Sequence, residues 1–111
     1  MKNVLITGVS AGLGKELAST YSLHGHTIYG ISRDKSKVDG YINHIECDIE
    51  QIYEISYKLS NLLNNVEEIE TVFLNAGVLG QIDFLHKVSM IELERVLTIN
   101  ALSNKIIEWE N

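Results

Sequence analysis

The chain has 111 residues, of which 45% are hydrophobic and 22% charged, so it is expected to form one globular domain, and disorder and collagen-like repeats are excluded. The net charge of −6 argues against a nucleic acid or an anionic membrane surface as the main partner, and the single cysteine, Cys47, excludes an internal disulfide and a zinc cluster. No apolar run is long enough for a membrane span or a signal peptide, and the histidines lack metal-ligand spacing, so we expect a cytoplasmic protein without a metal.

The first half of the chain alternates between strand and helix patterns. The apolar run Val4-Leu5-Ile6 is typical of a strand buried on both faces, and it stops at Thr7-Gly8. Helical spacing of apolar residues from Leu13 predicts a helix with Gly25 at its C-cap. A second strand is predicted over 27–31, a polar loop that allows a short helical turn over 32–40, and a third strand over 41–47.

The second half continues the alternation. Apolar residues from 52 to 63 form a helical stripe, with Asp48 placed to cap its start. A fourth buried strand is predicted over 71–74 and a loop over 77–88, and Ser89 and Glu92 fit a capping box that starts a last helix. This order predicts an α/β fold: a Rossmann-like, doubly wound parallel sheet that is incomplete, with about four strands in the order 3-2-1-4.

Three glycines form the strongest motif in the chain. Gly8, Gly12 and Gly14 have the spacing G-x-x-x-G-x-G between the first strand and the first helix. Glycine tolerates the sharp turn from strand to helix, and it lets a pyrophosphate approach the backbone where the helix offers free N–H groups. This context favours dinucleotide binding. The alternative is a tight turn that only packs the helix on the strand.

The end of the second strand bears on which dinucleotide is bound. An acidic residue near this place binds the ribose hydroxyls of NAD, whereas an arginine can meet the 2′-phosphate of NADP. Here Ser32 stands at the carboxylate position and Arg33 beside it, followed by Asp34. The pattern favours NADP(H), and NAD(H) remains open. The alternative is a solvated, charged loop without a ligand.

Together with three later motifs, the glycine motif and the end of the second strand make the chain resemble the short-chain dehydrogenase/reductase family. The resemblance extends over essentially the whole length of the chain. The motifs are Cys47-Asp48-Ile49, Asn75-Ala76-Gly77 and Asn100. The resemblance implies that Asp48 contacts the adenine and that Asn100 supports the catalytic proton relay. The cofactor-binding residues that the glycine motif, the second strand and the resemblance indicate are Thr7, Gly8, Ser10, Gly12, Leu13, Gly14, Ser32, Arg33, Asp48, Asn75, Ala76 and Gly77.

Two departures from the family pattern limit what the resemblance implies. The family commonly has a second asparagine before Asn75, and this chain has Leu74 there. More importantly, the family's catalytic Ser and Tyr-x-x-x-Lys follow the helix asparagine, and none of the five tyrosines here has a lysine four residues later. A bound nicotinamide would therefore lack a proton donor for carbonyl reduction. Without the rest of the relay, Asn100 is as compatible with a hydrogen bond inside a packed helix as with a role in catalysis.

We therefore expect residues 1–111 to be a single truncated dinucleotide-binding domain. It would be the NADP-preferring half of a carbonyl reductase or alcohol dehydrogenase and would be inactive alone. Two alternatives stay open: a non-catalytic module that binds NADP(H) or a partner, and a structural remnant without a ligand.

The distribution of apolar residues predicts self-association. The last helix is apolar on more than one side, and the fourth strand is expected to be an open sheet edge. In the family this helix packs on the sheet and on a partner subunit. We expect a homodimer or larger assembly through the last helix or the edge of the fourth strand.

Overall fold

A computed structural model describes residues 2–9, 12–48, 52–62, 66, 68–75, 82–89 and 91–98. The first half contains strand β1 (Asn3–Thr7), helix α1 (Gly12–Leu23), strand β2 (Thr27–Ser32), a short 3-10 turn (Lys35–Lys37) and strand β3 (Asn43–Glu46). The second half contains helix α2 (Ile52–Leu62), strands β4 (Glu68–Asn75) and β5 (Ile82–Ser89), and helix α3 over 91–98. No helix among the described ranges is long and apolar enough to cross a membrane.

The strands form one sheet in the order β3-β2-β1-β4-β5. The first four are mutually parallel, which confirms the predicted order 3-2-1-4 and the Rossmann-like fold class. β1 lies in the middle, with β2 on one side and β4 on the other. The predicted third strand is shorter than expected, because Ile42 N–H already donates to Asp39 carbonyl in a turn before β3 begins.

The prediction of a loop over 77–88 is wrong, because 82–89 form the antiparallel strand β5. β5 pairs with the whole of β4, from Glu68 opposite Ser89 to Asn75 opposite Ile82. An open β4 edge would leave a row of backbone N–H and C=O groups without partners, and the hairpin satisfies them while burying Val88. The prediction that the β4 edge is exposed for subunit contact is therefore also wrong, since β4 has a neighbour on both sides.

Two apolar cores lie on opposite faces of the sheet. α1 covers one face, where Ala18 packs with Val4 and Ile6 of β1. α2 and α3 cover the other face, where Leu59 and Leu93 pack with Leu5. Alternate residues of β1 thus enter different cores, which is why its sequence is continuously apolar. The crossover helices change face between β1 and β4, as in a doubly wound sheet.

Two of the three predicted helix-end signals are confirmed, and the capping of α2 by Asp48 depends on residues 49–51, which lie outside the described ranges. At the end of α1, Gly25 has a φ of 86°, its N–H donates to Ser22 carbonyl at 3.0 Å, and His26 N–H donates to Tyr21 carbonyl at 3.1 Å. This pair of bonds closes the helix in a Schellman motif. At the start of α3, Glu92 N–H donates to Ser89 Oγ at 3.3 Å, as the capping box requires.

Candidate cofactor-binding site

The predicted site residues at the strand ends lie along one edge of the sheet. Thr7 ends β1 opposite Ile31, and Ser32 ends β2 opposite Glu46. Because β1 to β4 are parallel, Asn75 at the end of β4 lies at the same edge. In doubly wound sheets, ligands bind outside the carboxyl ends of the strands, at the point where successive crossovers change face. In this fold that point lies between β1 and β4.

The turn from β1 to α1 is anchored by main-chain and side-chain packing. Gly8 has a φ of 73°, and its N–H donates to Ile31 carbonyl at 2.8 Å. The next side chain, Val9, is fully buried against Gly30, where any Cβ would lie 2.7 Å from the Val9 methyl group. Gly12 begins the helix with a φ of 59°. The turn therefore has a defined path at both ends.

The start of α1 packs closely on this turn. A Cβ at Gly14 would overlap the carbonyl oxygen of Gly8, so only glycine permits this approach. On the other side Gly12 is exposed, and a Cβ there would meet no described atom within 4 Å. The first N–H groups of a helix have no partners within it, and they attract anions. An open backbone at a helix start thus fits the pyrophosphate of a dinucleotide.

A hydrogen bond that the sequence analysis did not anticipate lies at the end of β2. Ser32 Oγ is 2.6 Å from His44 Nε2 of β3. Ser32 is buried, and its carbonyl accepts the Cys47 N–H at 2.9 Å. Arg33, the next residue, is exposed. The only signal for His44 in the sequence is its position on β3, because its contact with Ser32 depends on the β2–β3 register.

The loop after β2 folds back onto the end of β3. Lys35 N–H donates to Glu46 Oε2 at 3.0 Å, which ties the 3-10 turn to β3. Burial lowers the pKa of His44; the charge of Lys35 lowers it further, while Glu46 and Asp34 raise it. Three cationic side chains, Arg33, Lys35 and Lys37, are exposed in this loop.

Some of the remaining predicted site residues lie within the described ranges, and others lie outside them. Asp48 is half-buried just beyond β3, and Leu13 is 54% exposed at the start of α1. Four predicted residues lie outside the described ranges: Ser10, Ala76, Gly77 and Asn100. Cys47 is buried, and burial raises the pKa of its thiol, in keeping with a packing residue rather than a nucleophile.

Comparison with known proteins finds reductases and dehydrogenases. The chain is 29% identical over 75 residues to 3-ketodihydrosphingosine reductase of Bacteroides thetaiotaomicron, covering 68% of this chain and 28% of that protein. It is 27% identical over 111 residues to NADPH-dependent pterin aldehyde reductase of Arabidopsis thaliana, covering 90% and 45%. A crystal structure of a short chain dehydrogenase from Leptospira borgpetersenii with bound NAD+ matches with a TM-score of 0.55 and 28% identity, covering 62% and 28%.

The extent of the family match decides the assignment. The chain spans between 28% and 45% of the length of the curated relatives that it matches. The short chain dehydrogenase family model matches residues 2–106, which is nearly all of the sequence. The matched segment includes the glycine turn, the end of β2 and the end of β4. The chain therefore belongs to the short-chain dehydrogenase family.

Proposed function

We propose that this chain is the cofactor-binding portion of an oxidoreductase and that it prefers NADP(H) to NAD(H). The observation that carries the preference is the end of β2, where a serine hydroxyl and an exposed arginine stand in place of a carboxylate. When bound, the nicotinamide supplies or accepts a hydride. The residues of this chain bind and orient the adenine and pyrophosphate end.

The electrostatics at the end of β2 support the preference. A carboxylate there would accept hydrogen bonds from both ribose hydroxyls of NAD and would repel the 2′-phosphate of NADP. Arg33 offers a forked set of donors to a phosphate, and Lys35 adds positive charge. The relatives do not decide the matter, because one is named NADPH-dependent and another has NAD+ bound. The proposal therefore depends on Ser32 and Arg33.

The experiment that tests this proposal is a calorimetric titration of the 111-residue chain with NADPH and with NADH. We expect NADPH to bind more tightly and the Arg33→Asp variant to lose that selectivity. The matched control is Lys2→Asp, which makes the same change of charge at an exposed residue before β1, at the opposite edge of the sheet. Equal affinities for the two cofactors in the wild-type chain would contradict the preference.

We further propose that the 111-residue chain has no turnover by itself, and that the whole protein reduces a carbonyl or oxidises an alcohol. The support is chemical. Hydride transfer to a carbonyl needs a proton donor at the oxygen, and the sequence has no Tyr-x-x-x-Lys. Carbonyl-dependent oxidation of NADPH by the purified chain would contradict this proposal.

A second candidate is a non-catalytic module that binds NADP(H) or a partner. A third is a structural remnant that folds but binds no ligand. Submicromolar affinity of the 111-residue chain for NADPH favours the second over the first. Absence of binding of either cofactor favours the remnant, with the glycine turn retained for packing alone.

Self-association through the last helix is part of the proposal. Leu93 and Leu97 face the sheet core, whereas Ile91 on the same helix is 82% exposed. The sequence of this last helix is apolar on more than one side, which favours a second contact surface. Light scattering at micromolar concentration tests this, and the mass of a monomer would contradict it.

A further inference from the structure

We propose that His44 is a positioning residue of the cofactor site, which turns the Ser32 hydroxyl proton toward the 2′-phosphate of NADP(H). This inference rests on the proposed preference for NADP(H) and deepens it, because it names a residue on a neighbouring strand that sets the selectivity.

In this geometry only the direction of the Ser32 hydroxyl proton can still change. Its main chain is held at the end of β2, where its carbonyl accepts the Cys47 N–H, and the residue remains 8% exposed. Its Oγ lies 2.6 Å from His44 Nε2. A serine hydroxyl has one donor and two acceptor lone pairs, so the direction of its proton depends on what its partner does.

The surroundings of His44 decide which atom carries the proton. Its Nδ1 is buried and has no hydrogen-bond partner among the described residues. Buried N–H groups without an acceptor are rarer than underused acceptors, so the proton belongs on Nε2. Nε2–H then donates to Ser32 Oγ. The Ser32 hydroxyl proton cannot point at His44 and is left for another acceptor.

A phosphate is the acceptor that this end of β2 suits. The next residue is the exposed Arg33, and the folded-back loop brings Lys35 near. The charges that act on His44 come from Lys35 and Asp34 in that loop and from Glu46 on its own strand. They oppose one another in sign, and burial favours the neutral ring. A neutral imidazole with a fixed Nε2–H keeps Ser32 a donor at neutral pH.

The test is a double-mutant cycle in the 111-residue chain, with the affinities for NADPH and NADH measured by calorimetry. We expect His44→Leu to weaken NADPH binding about three- to tenfold, the usual worth of one neutral hydrogen bond, and to leave NADH binding unchanged. His44→Gln, whose amide can donate to Ser32 Oγ, should retain most of the selectivity. In a Ser32→Ala background, His44→Leu should have no further effect.

Two controls keep the result interpretable. His24→Leu replaces an exposed histidine at the end of α1 and should leave both affinities unchanged. Thermal unfolding monitors whether each variant folds. If His44→Leu does not fold, His44→Val replaces it in the cycle, because valine is well suited to a strand.

The outcomes separate this inference from the proposed function. NADPH selectivity that survives His44→Leu within twofold would overturn the role of His44 and leave the NADP(H) preference standing. An equal loss for NADPH and NADH would also overturn it, because that pattern indicates a general structural effect. A wild-type chain that binds neither cofactor, or both equally, would overturn the preference and the inference together.

Discussion

Position 14 shows how the absence of a side chain can determine the packing of a helix on a turn. Gly14 is buried in the first turn of α1, against the Gly8 carbonyl. An alanine in a helix is normally more favourable than glycine by about 1 kcal/mol. Here we expect Gly14→Ala to lower the free energy of unfolding instead, by about 1–3 kcal/mol, because the added Cβ overpacks the turn.

Gly40 provides the matched control for this substitution. It is exposed, and a Cβ there would meet nothing within 4 Å among the described atoms. Gly40→Ala should leave the free energy of unfolding within about 0.5 kcal/mol of wild type. Urea denaturation of both variants measures the difference. Equal effects of Gly14→Ala and Gly40→Ala would contradict the close approach of α1 to the Gly8 carbonyl.

The half-buried imidazole of His44 predicts a dependence of stability on pH. Burial lowers the pKa of His44 in the folded state below its ordinary value of 6.5. The unfolded chain therefore binds more protons as the pH falls below that value, and stability falls with it. We expect the urea midpoint to fall less between pH 7.5 and pH 5 in His44→Gln than in wild type. Identical slopes in the two proteins would exclude this contribution.

At the residue scale, the sequence was sufficient only for local motifs. The tight turn at Gly8, Gly12 and Gly14 could be predicted, because the spacing of these glycines and the elements that flank them are local features of the sequence. His44 could not be assigned, because its partner Ser32 is brought near by the register of β2 and β3. No local pattern encodes such a contact.

At the scale of elements, β5 is the clearest failure of the sequence analysis. The apolar runs Val4-Leu5-Ile6 and Val72-Phe73-Leu74 identify β1 and β4, whereas the apolar residues of β5 are interrupted by polar residues such as His86 and Lys87. Its pairing with β4 satisfies the backbone of a strand that would otherwise be exposed. An edge strand is thus determined mainly by its neighbour.

Substitution of the buried residue Val88 tests whether 82–89 form a strand. Val88 is 3% exposed and belongs to the core beneath α3 only if the hairpin forms. We expect Val88→Ala to lower the free energy of unfolding by about 1–3 kcal/mol, because it leaves a cavity. Glu68→Ala, at an exposed position of the paired strand β4, is the control and should change it by less than about 0.5 kcal/mol. Equal, small effects would favour a loop in this segment.

At the scale of the whole molecule, cofactor binding should stabilise the fold, because the glycine turn and the end of β2 exist only in the folded state. A ligand at one hundred times its dissociation constant adds about 2.7 kcal/mol, which corresponds to a rise in Tm of roughly 10 °C for a domain of this size. We expect NADPH to raise Tm more than equimolar NADH. A thermal scan that neither cofactor shifts would contradict binding to the folded chain.

The central position of β1 has a consequence for how the chain folds. β1 is synthesised before the strands with which it pairs, and one side of it soon meets β2, since Asn3 pairs with Thr27. The other side waits for β4, because Val4 pairs with Thr71. Pairings that join distant segments form slowly, so closure of β1 on β4 should limit the folding rate. Until β4 leaves the ribosome, a continuously apolar strand has one open side, and partly synthesised chains should be the species most prone to aggregation and most dependent on chaperones.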